Sequence, residues 1–392
     1  MPTESNALVK RPHVRRAAVL AATALAITAC GGDDDSDAAT DAPAATEAPA
    51  ATSDAAPGTT AAGTGDYSDF KVVMILDGSI EDGGWNTTHA AGGKKIEAAF
   101  PGITVEYVEE IAPGQTATVA FEDAVAGGAY LVIGTTYYQD DILELVDEHP
   151  DVTFLSWAGW ETKPNLGQFD GASEDGRYLD GIVAGLLTES NIIGYAAGFP
   201  YNEVNRAINA FTMGARSVNP DVTVQVVYLN TWFDPAVEQQ AAEALMNAGA
   251  DVLAHEVGAQ VYATVAAQHG GHVIGYTNDW SQIEPEAWAS SFQYDWGNYY
   301  VEQVRAILDG TWEPAVSYGG LADGFITFAP YGPDVTPEIL DAVEAAKASI
   351  IDGSFDMFAG PITDNTGVVQ IADGETIPFA ERNNCCQWLV EG

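Results

Sequence analysis

The pattern of hydrophobic and polar positions repeats one motif along the chain, a short apolar strand followed by an amphipathic helix. In the first half this pattern predicts strands over 71–76, 104–108, 130–133 and 152–157, with helices over 87–100, 116–126 and 140–148. The strands are nearly continuous in apolar residues, which is typical of a parallel sheet covered by helices on both faces. The first half therefore predicts an α/β unit.

The same alternation begins again after Asn191. It predicts strands over 192–197, 222–229, 252–255 and 273–276, with helices over 203–218, 235–248 and 259–269. Pro235 stands in the first turn of one of these helices and Gly249 follows its last turn, as helix boundaries favour. Two successive α/β units of similar size predict two lobes.

A ligand site is predicted where the two lobes face each other. In open parallel sheets ligands bind beyond the carboxyl ends of the strands, and small-molecule sites concentrate between domains. The residues that follow the predicted strands are rich in aromatic, amide and carboxylate side chains. We take the following as candidate ligand-binding residues: Trp85, Asn86, Tyr138, Asp140, Trp160, Phe199, Trp232, Glu256 and Asp279.

This set of side chains favours a planar heteroaromatic ligand. Aromatic rings offer faces for stacking, Asn offers both a donor and an acceptor, and carboxylates accept from ring or exocyclic N–H groups. The alternative is that the loop aromatics pack the edges of their own lobe. For Trp85 and Trp232, at equivalent places in the two lobes, we favour the ligand, with lobe closure supplying two stacking faces.

The N-terminal residues predict export and lipid attachment. A basic segment over 10–16 precedes an unbroken run of small and apolar residues over 17–29, which is too short to cross a bilayer as a helix. The run ends in Ile-Thr-Ala-Cys, which resembles the bacterial lipobox, where the cysteine is acylated. We predict a signal peptide over 1–29 and lipidation of Cys30. The alternative is an ordinary export signal with an incidental cysteine.

The residues after Cys30 predict a tether. Residues 31–65 contain no aromatic residue and no Leu, Ile or Val, so they cannot bury enough apolar surface to fold. We expect a disordered segment over 30–65 between the lipid and the folded part. The protein would then lie on the extracytoplasmic face of the cell membrane, attached only through its lipid anchor.

Charge and motifs exclude several function classes. The chain has 57 acidic and 14 basic residues, which argues against nucleic-acid binding because that binding relies on Lys and Arg. No GxSxG, P-loop, HExxH or GxGxxG motif occurs, so we expect no enzyme and no cofactor. The adjacent Cys385 and Cys386 form either a vicinal disulfide or two thiols, and CxxC metal spacing is absent, so we expect no metal site.

Five blocks of sequence carry a family resemblance. They are DGGWNTTHAAG (82–92), EDGRYLDGIVAGLLTESNIIGYAAGFP (174–200), NRAINAFTMGARSVNP (205–220), NTWFDPAVE (230–238) and YGPDVTPEILDAVEAAKASIIDGSFDMFAGPI (331–362). With these blocks the chain from about Phe70 onward resembles the basic membrane protein (BMP) family of ABC-transporter substrate-binding lipoproteins, which includes purine-nucleoside receptors.

The resemblance implies a type I periplasmic-binding fold, in which two Rossmann-like lobes with parallel sheets are joined by a multi-segment hinge. On this basis we expect lobe 1 over 66–189 and 280–320, and lobe 2 with the hinge return over 190–279 and 321–392. It also implies a monomer that binds a purine base or nucleoside between the lobes. Its partners would be the permease and ATPase of an ABC importer.

The resemblance also bears on individual residues. In the nucleoside-binding members a Phe-Asn pair follows the first strand, and Trp85-Asn86 stands there. A second stacking aromatic corresponds to Trp232, and an Asp after the third strand corresponds to Asp140. Those members carry a ribose-binding Lys that is missing from 290–296, so a free purine base or another flat heterocycle fits as well as a nucleoside.

His255-Glu256 also replaces the usual Gln-His of the family, which leaves the identity of the base open.

Two other functions remain as alternatives. A lipoprotein of the same fold could sense a ligand without transporting it. A secreted nucleoside hydrolase would also recognise a base, but the sequence lacks a catalytic constellation for that reaction.

Overall fold

The computed structural model describes residues 67–392, except for the side chains of residues 380, 383 and 384. The predicted signal peptide, Cys30 and the tether lie outside the described residues. Among the described helices, none is both long and apolar enough to cross a membrane.

The first part of the described chain alternates strands and helices as the sequence predicts. Its elements are β1 (Lys71–Ile75), α1 (Trp85–Ala99), β2 (Thr104–Val108), α2 (Gln115–Ala126), β3 (Leu131–Gly134), α3 (Gln139–Glu148), β4 (Thr153–Trp157) and β5 (Leu166–Gly171).

The middle part repeats this alternation. Its elements are α4 (Ser173–Leu187), β6 (Ile192–Ala197), α5 (Asn202–Val218), β7 (Thr223–Tyr228), α6 (Pro235–Asn247), β8 (Val252–Glu256), α7 (Val261–His269), β9 (His272–Ile274) and β10 (Trp288–Ser290).

The last part passes between the two sheets and ends in short elements. These are β11 (Phe292–Tyr294), α8 (Trp296–Asp309), β12 (Val316–Gly319), β13 (Ile326–Phe328), α9 (Pro337–Ile351), β14 (Ile362–Thr363), β15 (Val369–Ile371) and a 3-10 helix (Phe379–Asn384). Cys385 and Cys386, just after that helix, are joined in a disulfide, which is the first of the two predicted alternatives.

The first lobe is built on a parallel sheet with strand order β12-β5-β4-β3-β1-β2. Side chains alternate between its two faces, as strand geometry requires. Val72 and Met74 pack with α1 and α8, whereas Val73 and Ile75 pack with α2 and α3. A core on each face explains why the strands are nearly continuous in apolar residues.

The second lobe is built on a parallel sheet with strand order β10-β9-β8-β6-β7. Tyr195 and Ala254 face α4 and α5, whereas Ala196 and Leu253 face α6 and α7. Asp234 caps α6 by accepting from the N–H groups of the next turn, and Pro at its first position fixes the start of the helix.

The chain crosses between the lobes three times: between β5 and α4, through β11, and between β12 and β13. β11 and β13 pair antiparallel at this junction. Two parallel α/β lobes with a multi-segment hinge confirm the predicted fold class.

Two segments lie in a different lobe from the one expected. α4 packs along α5 of the second lobe, and β10 pairs with β9, although both were expected in the first lobe. Glycines permit the close packing of the helices: a Cβ on Gly181 would lie 2.1 Å from the carbonyl oxygen of Phe211, and one on Gly214 would lie 2.0 Å from that of Tyr178. The first segment of the second lobe therefore covers about 172–290 rather than 190–279, and the expected segment 321–392 contributes α9 to the same lobe.

Candidate functional site

Trp85, the first residue of α1, is the centre of an aromatic cluster at the carboxyl end of the first sheet. Its ring meets Trp157 and Tyr294 edge to face, with centroid distances of 4.9 and 5.5 Å. Its Nε1 donates to the carbonyl of Thr135 at 2.9 Å. Further edge contacts join it to His89 and Trp296. This ring is half-buried and held in one orientation by its neighbours.

Asn86 is buried beside this cluster. Its Nδ2 donates to the Asp82 carboxylate at 3.0 Å, and the same carboxylate accepts from the backbone N–H of Asn86. Within residues 67–392 the Asn86 Oδ1 accepts no hydrogen bond. A buried amide oxygen without a donor is costly unless another molecule supplies one.

The other first-lobe candidates lie in different surroundings. Tyr138 is fully buried between α2 and α3, and its hydroxyl donates to the Ile111 carbonyl at 2.5 Å. It has no surface to offer a ligand, which corrects the expectation that it binds one. Asp140 is exposed on the first turn of α3, and Trp160 is 68% exposed in the loop after β4. Neither belongs to the cluster around Trp85.

The second lobe presents an aromatic stack at the carboxyl ends of β6 and β7. The ring of Phe199 stacks on that of Tyr201 at 5.4 Å and meets Trp232 at 5.3 Å. Trp232 remains 43% exposed. A Cβ on Gly198 would lie 2.4 Å from the Trp232 ring, so glycine is required for this approach. Among the described residues no ring contact joins Trp232 to Trp85.

Glu256, the last residue of β8, is buried against Arg177 of α4. The Arg177 Nε lies 3.3 Å from Glu256 Oε1, while its two Nη groups donate to the carbonyls of Gly275 and His255. Burial raises the pKa of Glu256 to about 7, against the opposing charge of Arg177. By strict hydrogen-bond geometry Glu256 Oε2 accepts from no described residue, and the nearby Tyr195 hydroxyl also lowers the pKa of Glu256.

The neighbouring His255 points to the opposite face of the sheet. Its ring stacks between Tyr262 and Trp280, at 4.3 and 5.3 Å. Burial and then Arg177 lower the pKa of this histidine to about 3, so it is neutral at physiological pH. His255 is therefore a core residue of the α7 face.

The two lobes touch on both sides of the cleft. On one side the Tyr137 hydroxyl donates to Glu203 Oε1 on the first turn of α5, at 2.6 Å. On the other side Trp280 Nε1 and Asn278 Nδ2 donate to carbonyls of the 83–84 loop, at 3.0 and 3.3 Å. Asp279, between these two, is exposed and accepts from the backbone N–H of its own loop.

Asp170 near the end of β5 was not among the predicted site residues. It is 4% exposed; its Oδ1 accepts from the Gly171 N–H, and its Oδ2 accepts no hydrogen bond from the described residues. Burial raises the pKa of Asp170 to about 7, Glu203 adds to this, and Arg206 opposes it. Asp170 therefore lies within electrostatic range of the first turn of α5.

Three further residues of this region were also missed: Tyr137, Trp157 and Tyr294. Tyr137 and Trp157 follow or end predicted strands, so their position was the available signal. Tyr294 stacks on Trp296 at 4.5 Å, in a hinge segment whose strand was not predicted. Within residues 67–392 no cluster of three or more His, Cys, Asp or Glu side chains is arranged to hold a metal ion.

Solved structures of other proteins share this two-lobed fold. An ABC transporter solute-binding protein from Conexibacter woesei aligns over 73% of this chain and 98% of its own, at a TM-score of 0.64 and 23% identity. A transcriptional activator of the comK gene from Bacillus halodurans aligns over 73% of this chain and 99% of its own, at 0.65 and 20%. These similarities show the fold.

Comparison of sequences identifies the family as well as the fold. TsgA13 of Haloferax volcanii, whose name proposes glucose binding in an ABC transporter, is 33% identical over 77% of this chain and 77% of its own. A purine-binding protein of Brucella abortus is 30% identical over 78% of this chain and 87% of its own. The names describe binding proteins rather than enzymes. The profile of PnrA-like ABC transporter substrate-binding proteins matches residues 70–352, so the chain belongs to this family, the Bmp family.

Proposed function

We propose that this protein binds a flat nitrogen heterocycle of the purine class between its lobes and delivers it to the permease and ATPase of an ABC importer. Family membership supports the delivery role. The observation that supports the ligand is the combination of aromatic surface and unpaired polar atoms at the strand ends. Trp85 and Tyr137 offer rings from the first lobe, and Phe199 and Trp232 offer rings from the second.

Buried oxygens that lack a hydrogen-bond donor are suited to accept from the N–H groups at the edge of a purine ring. Several buried oxygens near the carboxyl ends of the strands accept no hydrogen bond within the described chain, among them Asn86 Oδ1, Asp170 Oδ2, Glu256 Oε2 and Thr277 Oγ1. Buried polar atoms are normally paired, so oxygens that lack donors indicate that a bound molecule supplies them. A purine presents N–H groups in its plane and apolar faces above and below, which suits both features.

Relatives point to a competing ligand. The purine-binding relative supports a heterocycle, whereas TsgA13, with a similar level of identity, supports glucose. A sugar also stacks one face on an aromatic ring and donates hydroxyl protons to carboxylates. The number of rings on both sides of the cleft favours a ligand with two flat faces.

A ligand panel decides between these classes. Purified protein would be heated with adenine, hypoxanthine, guanosine, adenosine or glucose, and the ligands that raise the melting temperature would be titrated by calorimetry. We expect a purine base or nucleoside to bind with a concentration-dependent rise. Stabilisation by glucose alone, with no response to any purine, would overturn the proposed ligand.

We further propose that the mature protein is a monomer anchored by a lipid on Cys30, on the extracytoplasmic face of the membrane. The basic, apolar and cysteine elements over 10–30 support this. Cys30→Ser is expected to release the protein from the membrane fraction, with Cys385→Ser as a cysteine control that stays attached. A Cys30→Ser protein that remains membrane-bound would contradict the anchor.

A further inference from the structure

Two buried carboxylates lie near the cleft, one in each lobe. Asp170 belongs to β5 of the first sheet and Glu256 ends β8 of the second. Each is 4% exposed, and each has one oxygen engaged by the protein and one that accepts no hydrogen bond from the described residues.

A third carboxylate, Glu203, interacts electrostatically with both Asp170 and Glu256. It stands on the first turn of α5, is bonded to Tyr137, and its charge acts on both Asp170 and Glu256. Glu203 is therefore within electrostatic range of both buried carboxyl groups. A ligand that presents donors would favour the ionised form of each carboxyl group, which accepts hydrogen bonds and cannot donate them.

The cations of this region are already engaged. Arg177 is bound to Glu256 and to two backbone carbonyls. Arg206 lies 2.9 Å from Glu174 and donates to the Arg382 carbonyl. An anionic ligand would meet the fields of the carboxylates without a guanidinium free to pair with it, and burying an unpaired charge is costly.

We propose that Asp170 and Glu256 determine the specificity of the cleft: they accept from amino or ring N–H groups on opposite edges of the ligand, so the site takes neutral or cationic amino-heterocycles and rejects anionic ones. The proposal rests on the proposed purine site and narrows its substrate class. Adenine, which has an exocyclic amino group on one edge and a ring N–H on the other, then binds, whereas urate and adenosine monophosphate, which carry negative charge at neutral pH, do not.

Two isosteric variants and a matched control test this. Glu256→Gln and Asp170→Asn each replace a carboxylate by an amide of the same shape, and Asp251→Asn does the same at a carboxylate that binds Thr188 and two backbone N–H groups away from the cleft. Calorimetry would measure adenine, adenosine, urate and adenosine monophosphate on all four proteins, with thermal unfolding as a folding check.

In the parent, adenine is expected to bind at least about tenfold more tightly than urate. Each cleft variant should weaken adenine binding by about 10- to 100-fold, the range for a lost hydrogen bond to a charged group, and should reduce the preference over urate. Asp251→Asn should leave both unchanged. If one cleft variant does not fold, the variant in the other lobe and the preference of the parent still decide.

The outcomes separate the two proposals. Binding of urate as tight as that of adenine, with no change of the ratio in a folded cleft variant, overturns the inference and leaves the proposed function standing. Binding of no purine at all overturns the proposed function, and the inference with it. A shift of the adenine-to-urate ratio in Asp251→Asn equal to that in the cleft variants also overturns the inference, because the effect would then not be local.

Discussion

The cleft has two aromatic walls: the cluster around Trp85 in the first lobe, and the stack of Phe199, Tyr201 and Trp232 in the second. These two walls are built differently. In the first lobe the Trp85 ring meets four other rings edge to face, and its indole N–H is bonded to a backbone carbonyl. In the second lobe Trp232 is 43% exposed and contacts only Phe199 and Tyr201 among the described rings, at 5.3 and 6.1 Å. One wall is enclosed in the core, and the other lies on the surface.

This difference separates stability from affinity. A ring enclosed by other rings contributes to folding whether or not a ligand is present, because its contacts with those rings exist in the free protein. A ring that is 43% exposed gains its remaining burial only when a ligand covers it. The first-lobe wall is therefore preorganised, whereas the second-lobe wall contributes mainly on binding.

The largest expected effect is that of Trp85→Ala. Removing this ring leaves a cavity among Trp157, Tyr294 and their neighbours, so we expect a loss of about 3 kcal/mol in the free energy of unfolding. Affinity should fall as well, because a stacking face is lost. Denaturant unfolding and calorimetry measure the two effects.

Trp312→Ala provides the matched control for Trp85. Trp312 belongs to the same lobe, is partly buried, and donates to Gln303, away from the carboxyl ends of the strands. This variant should lower stability and leave affinity unchanged. A Trp85→Ala protein with parental affinity would show that the first-lobe wall is structural only.

The second prediction concerns the exposed wall. Trp232→Ala should weaken ligand binding by about 1–3 kcal/mol, the loss measured when an aromatic that stacks on a base is removed. The free energy of unfolding should change by less than about 1 kcal/mol, because much of the ring is already in water. A large loss of stability, or unchanged affinity, would remove the contrast between the two walls.

The alternation of strands and helices was predictable over most of residues 71–276, where short apolar strands alternate with amphipathic helices. β2 (Thr104–Val108) and β6 (Ile192–Ala197) lie where the sequence predicts them. Helix α4 was not predicted, because it is buried on nearly all sides between the second sheet, α5 and the hinge. Charged residues such as Glu174, Arg177 and Asp180 are buried together with its apolar residues, so burial in this helix does not follow an apolar stripe.

The site was predictable in position but not in detail. The rule that ligands bind beyond strand ends selected Trp85, Asn86 and Glu256, which lie there in the structure. The same rule selected Tyr138, whose side chain turns into the α2–α3 core, because a strand end does not specify the direction of a side chain. It missed Asp170, since β5 itself was not predicted.

The third prediction concerns Glu256 of the second lobe and the pH dependence of the free energy of unfolding. The pKa of Glu256 is about 7 in the folded protein and near 4.5 in the unfolded chain. Between these values the folded protein keeps a proton that the unfolded chain has released. The stability of the parent relative to Glu256→Gln should therefore fall as pH rises from about 4.5 to about 7, on the order of 3 kcal/mol, and stay constant above. A difference independent of pH would contradict the burial of this carboxyl.

The smallest expected effect concerns the hydrogen bond between Tyr137 of the first lobe and Glu203 of the second lobe. Tyr137→Phe keeps the ring beside Trp157 but removes the hydroxyl that donates to Glu203. Affinity should fall by about 0.5–1.5 kcal/mol, because the closed arrangement of the lobes loses one hydrogen bond. Stability should change little, since the bond lies between lobes.

Tyr201→Phe, which removes a hydroxyl from the exposed stack, is the control and should leave affinity at the parental value. If small-angle scattering shows the same compaction on binding for Tyr137→Phe and the parent, and affinity is also the same, the bond does not contribute to closure. The two walls would then act through the ligand alone.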